Sequence, residues 1–358
     1  ENSPDIDALQ AIIMNQAQYR RFCDYNSAVF NFVVDTAPGA EELAGIRWYE
    51  LRQDVDGGPW TVFQEGTYTA PDGRHAFSGS MAMDVFGNIG MGYTSVGSNV
   101  GERISIRYTG RLFEDPLGDM TISEQLIAQS SANNPGNRLA DYVHLTVDPE
   151  DGQSFWHIAE YFRPQRSDVV GVFKIAEIDP VDAAAVNVVS PVTSSIEVDQ
   201  AISIEIINYG ANTLSNVPVS YSLNGSDFVN ETFTGSIPAP LNGIPQRAVY
   251  TFSELADFSD PGDYTIDIRT EAINDAKPHN DCYATTVTNL LANDVGVTDI
   301  SAPENSILTS AESITISIEN FGTGAQSNIP VSFSVDGGSV ITDIFPGPLE
   351  PESTGAFT

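Results

Sequence analysis

Residues 189–225 read VSPVTSSIEVDQAISIEIINYGANTLSNVPVSYSLNG, and residues 301–337 read SAPENSILTSAESITISIENFGTGAQSNIPVSFSVDG. The two stretches superpose at a constant offset of 112 without a gap. Pro191 falls on Pro303, Asn208 on Asn320, Gly210 on Gly322, Pro218-Val219-Ser220 on Pro330-Val331-Ser332 and Gly225 on Gly337. Ile202, Ile204 and Ile206, and again Ile314, Ile316 and Ile318, alternate with polar residues. That period of two belongs to a strand with one buried face. Each triplet runs into an Asn-aromatic-Gly turn and then a second alternating run, the pattern of a β-sandwich. Residues 179–291 and 292–358 are therefore expected to be two copies of one module. Nothing in the second copy answers to residues 247–290 of the first. Thr358 is expected to correspond to position 246, with the second module cut short.

Residues 1–178 are written differently, with 12 of the chain's 15 basic residues. Three segments share a shape: a strand ending in Asp (Asp35, Asp84, Asp148), a turn with Gly (Gly39, Gly87, Gly152), and a strand with a large aromatic (Trp48, Tyr93, Trp156). The Asp spacings are 49 and 64 residues, a size that suits four-stranded propeller blades. These Asp and Gly residues are assigned structural roles in blade turns. The middle unit supplies four strands if MTISEQLIAQSS is the outermost, and the last supplies three. The N-terminal ENSPDIDALQAIIMNQAQYRRF reads as the outer strand of a preceding blade. The expected fold is thus all-β: a partial β-propeller of about three blades, then tandem immunoglobulin-like β-sandwiches.

The words GIRWYELR, GSMAMDVFGNIGMGY, IRYTGRLFEDPLGDM and NRLADYVHLTVDPEDGQSFWHIAEYF resemble the sialidase-like (BNR/Asp-box) propellers of secreted bacterial proteins. The segment MDVFGNIG departs from the Asp-box proper, Ser-x-Asp-x-Gly-x-Thr-Trp. The repeat, with its closing DAKPHNDCYATTV, resembles CARDB-type immunoglobulin-like adhesion modules. The combination implies a large, exported surface polypeptide of the kind carried by type IX secretion. In it a propeller is a binding platform and the sandwich modules are a stalk or spacer in adhesion. Its implied partners are other domains of a longer polypeptide, other copies of itself, glycans or cell-surface components. A sialidase-like glycoside hydrolase and an extracellular filament or sheath subunit are the alternatives.

Composition agrees with an extracellular, acidic surface. The chain has 358 residues, a net charge of −34 and a pI near 4.1. Such a surface repels phosphate backbones, which argues against nucleic acid as a partner. No apolar run approaches the ~20 residues of a membrane span, and no signal peptide opens the chain. Cys23 and Cys282 fall in different domains, which favours separate burial over a disulfide and leaves the redox compartment open.

A sialidase site needs three arginines converging on a carboxylate beside a Tyr-Glu pair. Arg47, Arg103, Arg107, Arg111 and Arg138, with Tyr108, are the candidates, and strand arginines pairing with the abundant carboxylates are the plainer reading; no catalytic residue is assigned. Tyr93, Trp156 and Tyr161 are candidate sugar-stacking aromatics or inter-blade packing. Asp54-Val-Asp56-Gly-Gly has Glu65 at the twelfth position of a calcium loop, but Pro59 stands where Gly is required, so a turn is expected. Asp148, Glu150 and Asp151 are read likewise. The one oxygen cluster retained as a calcium candidate is Asp275, Asn280 and Asp281, residues that also form ordinary turns. His75, His144, His157 and His279 lack metal-ligand spacing, and no P-loop, G-x-S-x-G or dinucleotide fingerprint is present.

Overall fold

The structure is a computed structural model and describes residues 6–13, 15–37, 39, 42–97, 102–134 and 136–358. Among these residues it is all-β, built of antiparallel sheets with one 3₁₀ turn at Pro278–Asn280. The first sheet runs β1 (Gln18–Arg21), β2 (Asn26–Asp35), β3 (Ala44–Gln53), β4 (Thr61–Tyr68) in that order. The second runs β5 (His75–Met83), β6 (Ile89–Val96), β7 (Ser105–Arg111), β8 (Ile122–Gln129). The third has three strands, β9 (His144–Val147), β10 (Phe155–Phe162) and β11 (Arg166–Phe173). MTISEQLIAQSS thus supplies β8, the far edge of the second sheet.

The N-terminal expectation is corrected. Gln18–Arg21 pairs with β2, Gln18 opposite Val29, and so opens the first sheet instead of closing a preceding one. A turn at residues 22–25, closed by Phe22 N–H donating to the Tyr25 carbonyl, folds it back. The first five residues of that segment and Met14 lie outside the described residues.

The three sheets stack face on face. Val29, Ile46 and Trp48 of the first share a core with Met81, Met83, Ile89 and Met91 of the second. Ala82 of the second packs with Leu145 and Phe155 of the third. Glycines let the second and third sheets interlock: a Cβ on Gly92 would lie 2.4 Å from the His157 ring, and one on Gly90 2.8 Å from Phe155.

Residues 183–289 form a two-sheet sandwich, consistent with an immunoglobulin-like domain. One sheet has the order β12 (Ala183–Ser190), β13 (Asp199–Asn208), β16 (Gln246–Asp257). The other has the order β15 (Val229–Ile237), β14 (Leu214–Leu223), β17 (Gly262–Thr270), β18 (Cys282–Asn289). Ile202, Ile204 and Ile206 face Val217, Val219, Ile266 and Ile268 in one core, as the alternation requires.

The repeat returns as β19 (Val295–Ala302), β20 (Thr315–Asn320), β21 (Ile329–Phe333), β22 (Ile341–Phe345) and β23 (Thr354–Phe357). Its core holds Ile318, Ile329 and Leu349. The correspondence reaches single hydrogen bonds. Asn208 Nδ2 donates to the carbonyls of Asn212 and Ile237, and Asn320 Nδ2 to those of Gly324 and Leu349. Gly210 N–H and Gly322 N–H each donate to the Asn side-chain oxygen two residues back. The expected terminus needs correction. Tyr250 pairs with Ile204, and Phe357 pairs with Ile316, so the offset there is 107. The second copy has the shorter connection into its last strand, and Thr358 matches Thr251. Thr315 meets Thr358 as Ser203 meets Thr251.

Candidate functional site

The most heavily built region outside the cores is the junction between the stacked sheets and the first sandwich. Cys23, just after β1, is disulfide-bonded to Cys282 at the start of β18, across 259 residues of sequence. This overturns the expectation of separate burial. Domains apart in sequence meet here in space, because the turn after β1 rests on the β17–β18 loop. His279 of that loop donates from Nε2 to the Phe86 carbonyl at 2.8 Å and stacks on Phe113 at 4.2 Å between centroids. Burial lowers its pKa, which keeps the ring neutral for that packing. Phe86 meets Tyr209 edge-on at 5.5 Å. Phe86, Ala184, Ile207 and Tyr209 form a small core that belongs to both halves.

The acidic loop of the sandwich lies beside this disulfide. Asp275 is fully engaged: Oδ2 accepts from Ala183 N–H and Oδ1 from Lys277 N–H, each at 2.8 Å. Asp182, not anticipated from sequence, joins the cluster, its Oδ1 accepting from Asn280 Nδ2 at 3.3 Å. Burial, then the neighbouring Asp275, raises the Asp182 carboxyl to about 7. Burial, then Asp275 and Asp182, raises that of Asp281 to about 9. Asn280 Oδ1 and Asp281 Oδ1 are buried without a hydrogen-bond partner. Among the described residues, no three His, Cys, Asp or Glu side chains are placed to hold a metal ion among themselves.

The three turn aspartates each cap their own turn. Asp35 Oδ1 accepts from Ala37 and Leu43 N–H, and Asp84 Oδ1 from Phe86 and Asn88 N–H. Asp148 Oδ1 accepts from Glu150 N–H, while Oδ2 accepts from Trp156 Nε1 at 3.0 Å. Gly39, Gly87 and Gly152 have φ of 97°, 77° and 66°, the left-handed region that favours glycine.

The arginine candidates each hold separate partners. Arg47 pairs with Glu65, Arg103 with Asn133, Arg138 with Asp141, and Arg111 donates to the Asp115 carbonyl. Tyr108 stacks on Phe173. Arg107 instead joins a network absent from the sequence reading. Arg74 and Arg107 both pair with Glu124, whose other oxygen accepts from Tyr93 O–H, which in turn meets Tyr68 O–H. A Tyr-Glu pair beside two arginines has the constituents of a glycosidase nucleophile. Here Tyr93 is fully buried, and burial raises its phenol pKa. Alternation in β6 marks Tyr93 as buried, but nothing in the sequence links it to Glu124, 31 residues on.

The calcium-loop look-alike is dispersed. Asp56 is held by Asn26 at 2.7 Å and Arg21 at 3.0 Å, while Glu65 is spent on Arg47. Asp54 and Asp56 line a polar cleft of about 390 Å³ that also includes Arg21, Asp24 and Cys23. Asp151 is bound to Ser154 and Lys174. Of the sugar-stacking candidates, Tyr93 and Tyr161 are buried, while Trp156 is 43% exposed. With Ile158, Val170 and Val172, Trp156 forms an exposed apolar patch on the third sheet, Trp156 standing opposite Val172 and Ile158 opposite Val170. No helix among the described residues is long and apolar enough to cross a membrane. No family model and no curated protein matches this chain.

Proposed function

We propose that the chain is a rigid presentation unit of an exported, cell-surface or extracellular multidomain protein. In this reading the three stacked sheets are β-propeller blades that form a binding platform. The immunoglobulin-like, CARDB-type modules are the stalk that holds the platform away from the cell. The observation that carries the reading is the Cys23–Cys282 disulfide, set in the shared core of Phe86, Ile207 and Tyr209. Structural disulfides persist in oxidising compartments, and a crosslink seated in a packed interface suppresses hinge motion where a stalk must transmit position. The acidic surface suits the same setting. The face that meets a surface ligand is the Trp156 patch, where the indole is fixed in orientation by Asp148. A fixed, exposed aromatic plane is suited to stacking on a sugar ring.

The test is protease shaving of intact source cells, with thiols in the released protein counted before and after reduction. Release from intact cells with both cysteines blocked is the expected result. Protection from the protease with two free thiols overturns the reading.

A further inference from the structure

Asp182, Asn280 and Asp281 are buried at the base of the first sandwich, with 1%, 7% and 8% of their surfaces exposed. Asp182 immediately precedes β12, and the other two close the loop that leads into β18. Asn280 reaches Asp182 through Nδ2 at 3.3 Å, while its Oδ1 stays buried. That oxygen and Asp281 Oδ1 accept no hydrogen bond. Buried acceptors left empty are rare in folded proteins, and each calls for a partner. Two buried carboxylates in electrostatic reach of one another also call for a positive charge. Lys277, the cation of the loop, is paired with Asp179 at 3.5 Å. Asp275 has both oxygens committed to backbone N–H groups and braces the loop from outside.

The unsatisfied donor set contains only oxygen. That excludes a preference for zinc or copper and suits a hard cation. Calcium takes six to eight oxygens in irregular geometry, amide and backbone carbonyls and water included, whereas magnesium demands a near-ideal octahedron. Two carboxylates balance a charge of two. We propose that Asp182, Asn280 and Asp281 form a calcium site, completed by water or backbone carbonyls, that ties β12 to the β17–β18 loop beside the disulfide. Asp275, included in the sequence-level cluster, is a positioning residue of this site, and Asp182 takes its place as ligand.

The experiment is calorimetric titration of the chelator-stripped full chain with calcium chloride, in enough sodium chloride to screen the acidic surface. One saturable ion per chain is expected. Linkage predicts a rise of roughly 10 °C in the unfolding midpoint of the sandwich at a hundredfold excess over Kd. The D182N/D281N variant keeps the shape and removes the charge, and is expected to lose the saturable event while folding at least as well in chelator. Asn280→Ala leaves both carboxylates in place and is expected to weaken uptake about tenfold. Absence of a saturable event in the wild-type chain overturns the proposal, since protons then neutralise the pair. Uptake unchanged in both variants overturns it as well, by assigning the ion to the general acidic surface.

Discussion

Asn208 and Asn320 each tie three segments of a module together with one side chain. Asn208 Nδ2 serves the carbonyls of Asn212, Ile237 and Pro238, while its oxygen receives Gly210 N–H. Replacing a fully buried Asn of this kind by Ala strands several acceptors, so Asn208→Ala should cost on the order of 3 kcal/mol in urea unfolding. His157, buried against Gly92, is a second residue with a legible energetic role. Burial lowers its pKa from 6.5 to about 4. Its folded value lies below its unfolded value, so the stability it contributes is present above about pH 6.5 and lost towards pH 4, on the order of 3 kcal/mol. Asp84 runs the other way: burial raises its carboxyl from 3.8 to about 7. Its cost appears as pH climbs through that window. In His157→Leu the acid-side loss should vanish, leaving a stability that falls as pH rises from about 4 to 7. Urea midpoints across that range check the sign.

At the scale of elements, the sheets interlock through glycine rather than through flat apolar faces. Ala at Gly92 would drive a methyl into the His157 ring, 2.4 Å from its nearest atom. Gly92→Ala should therefore destabilise the chain by about 2 kcal/mol, although the substitution favours strand propensity. A thermal shift measurement decides it; an unchanged midpoint would mean that the second and third sheets are not packed this closely. The strands themselves were legible. Alternation located β13, β20 and their partners, and the aspartate-glycine turns located the connections of the first three units. Two features are not legible in the sequence: the partner of Gln18–Arg21, which is too short a strand to show it, and the connection into β23. There the fixed offset held for the turns, but the pairing shifted through a shorter loop.

For the whole molecule, the disulfide and the acidic surface govern behaviour. A crosslink closing so long a loop should contribute about 4 kcal/mol or more by restricting the unfolded chain. The C23S/C282S variant should lose that amount in denaturant and broaden in small-angle scattering as the junction loosens. An unchanged profile would show that the Phe86, Ile207 and Tyr209 core holds the junction alone. At −34, self-repulsion opposes compaction, so the unfolding midpoint should rise with sodium chloride over the range in which screening sets in.

The repeat, the all-β class and the identity of the turn residues follow from the sequence alone, because period-two burial and positive-φ turns are local demands written into neighbouring residues. The pairing of Cys23 with Cys282, the Tyr93–Glu124 hydrogen bond and the contact of Asp182 with Asn280 were decided by tertiary structure. Each joins residues on separate strands or domains, and their contact depends on how sheets stack and where loops dock. A one-dimensional pattern carries no such distance.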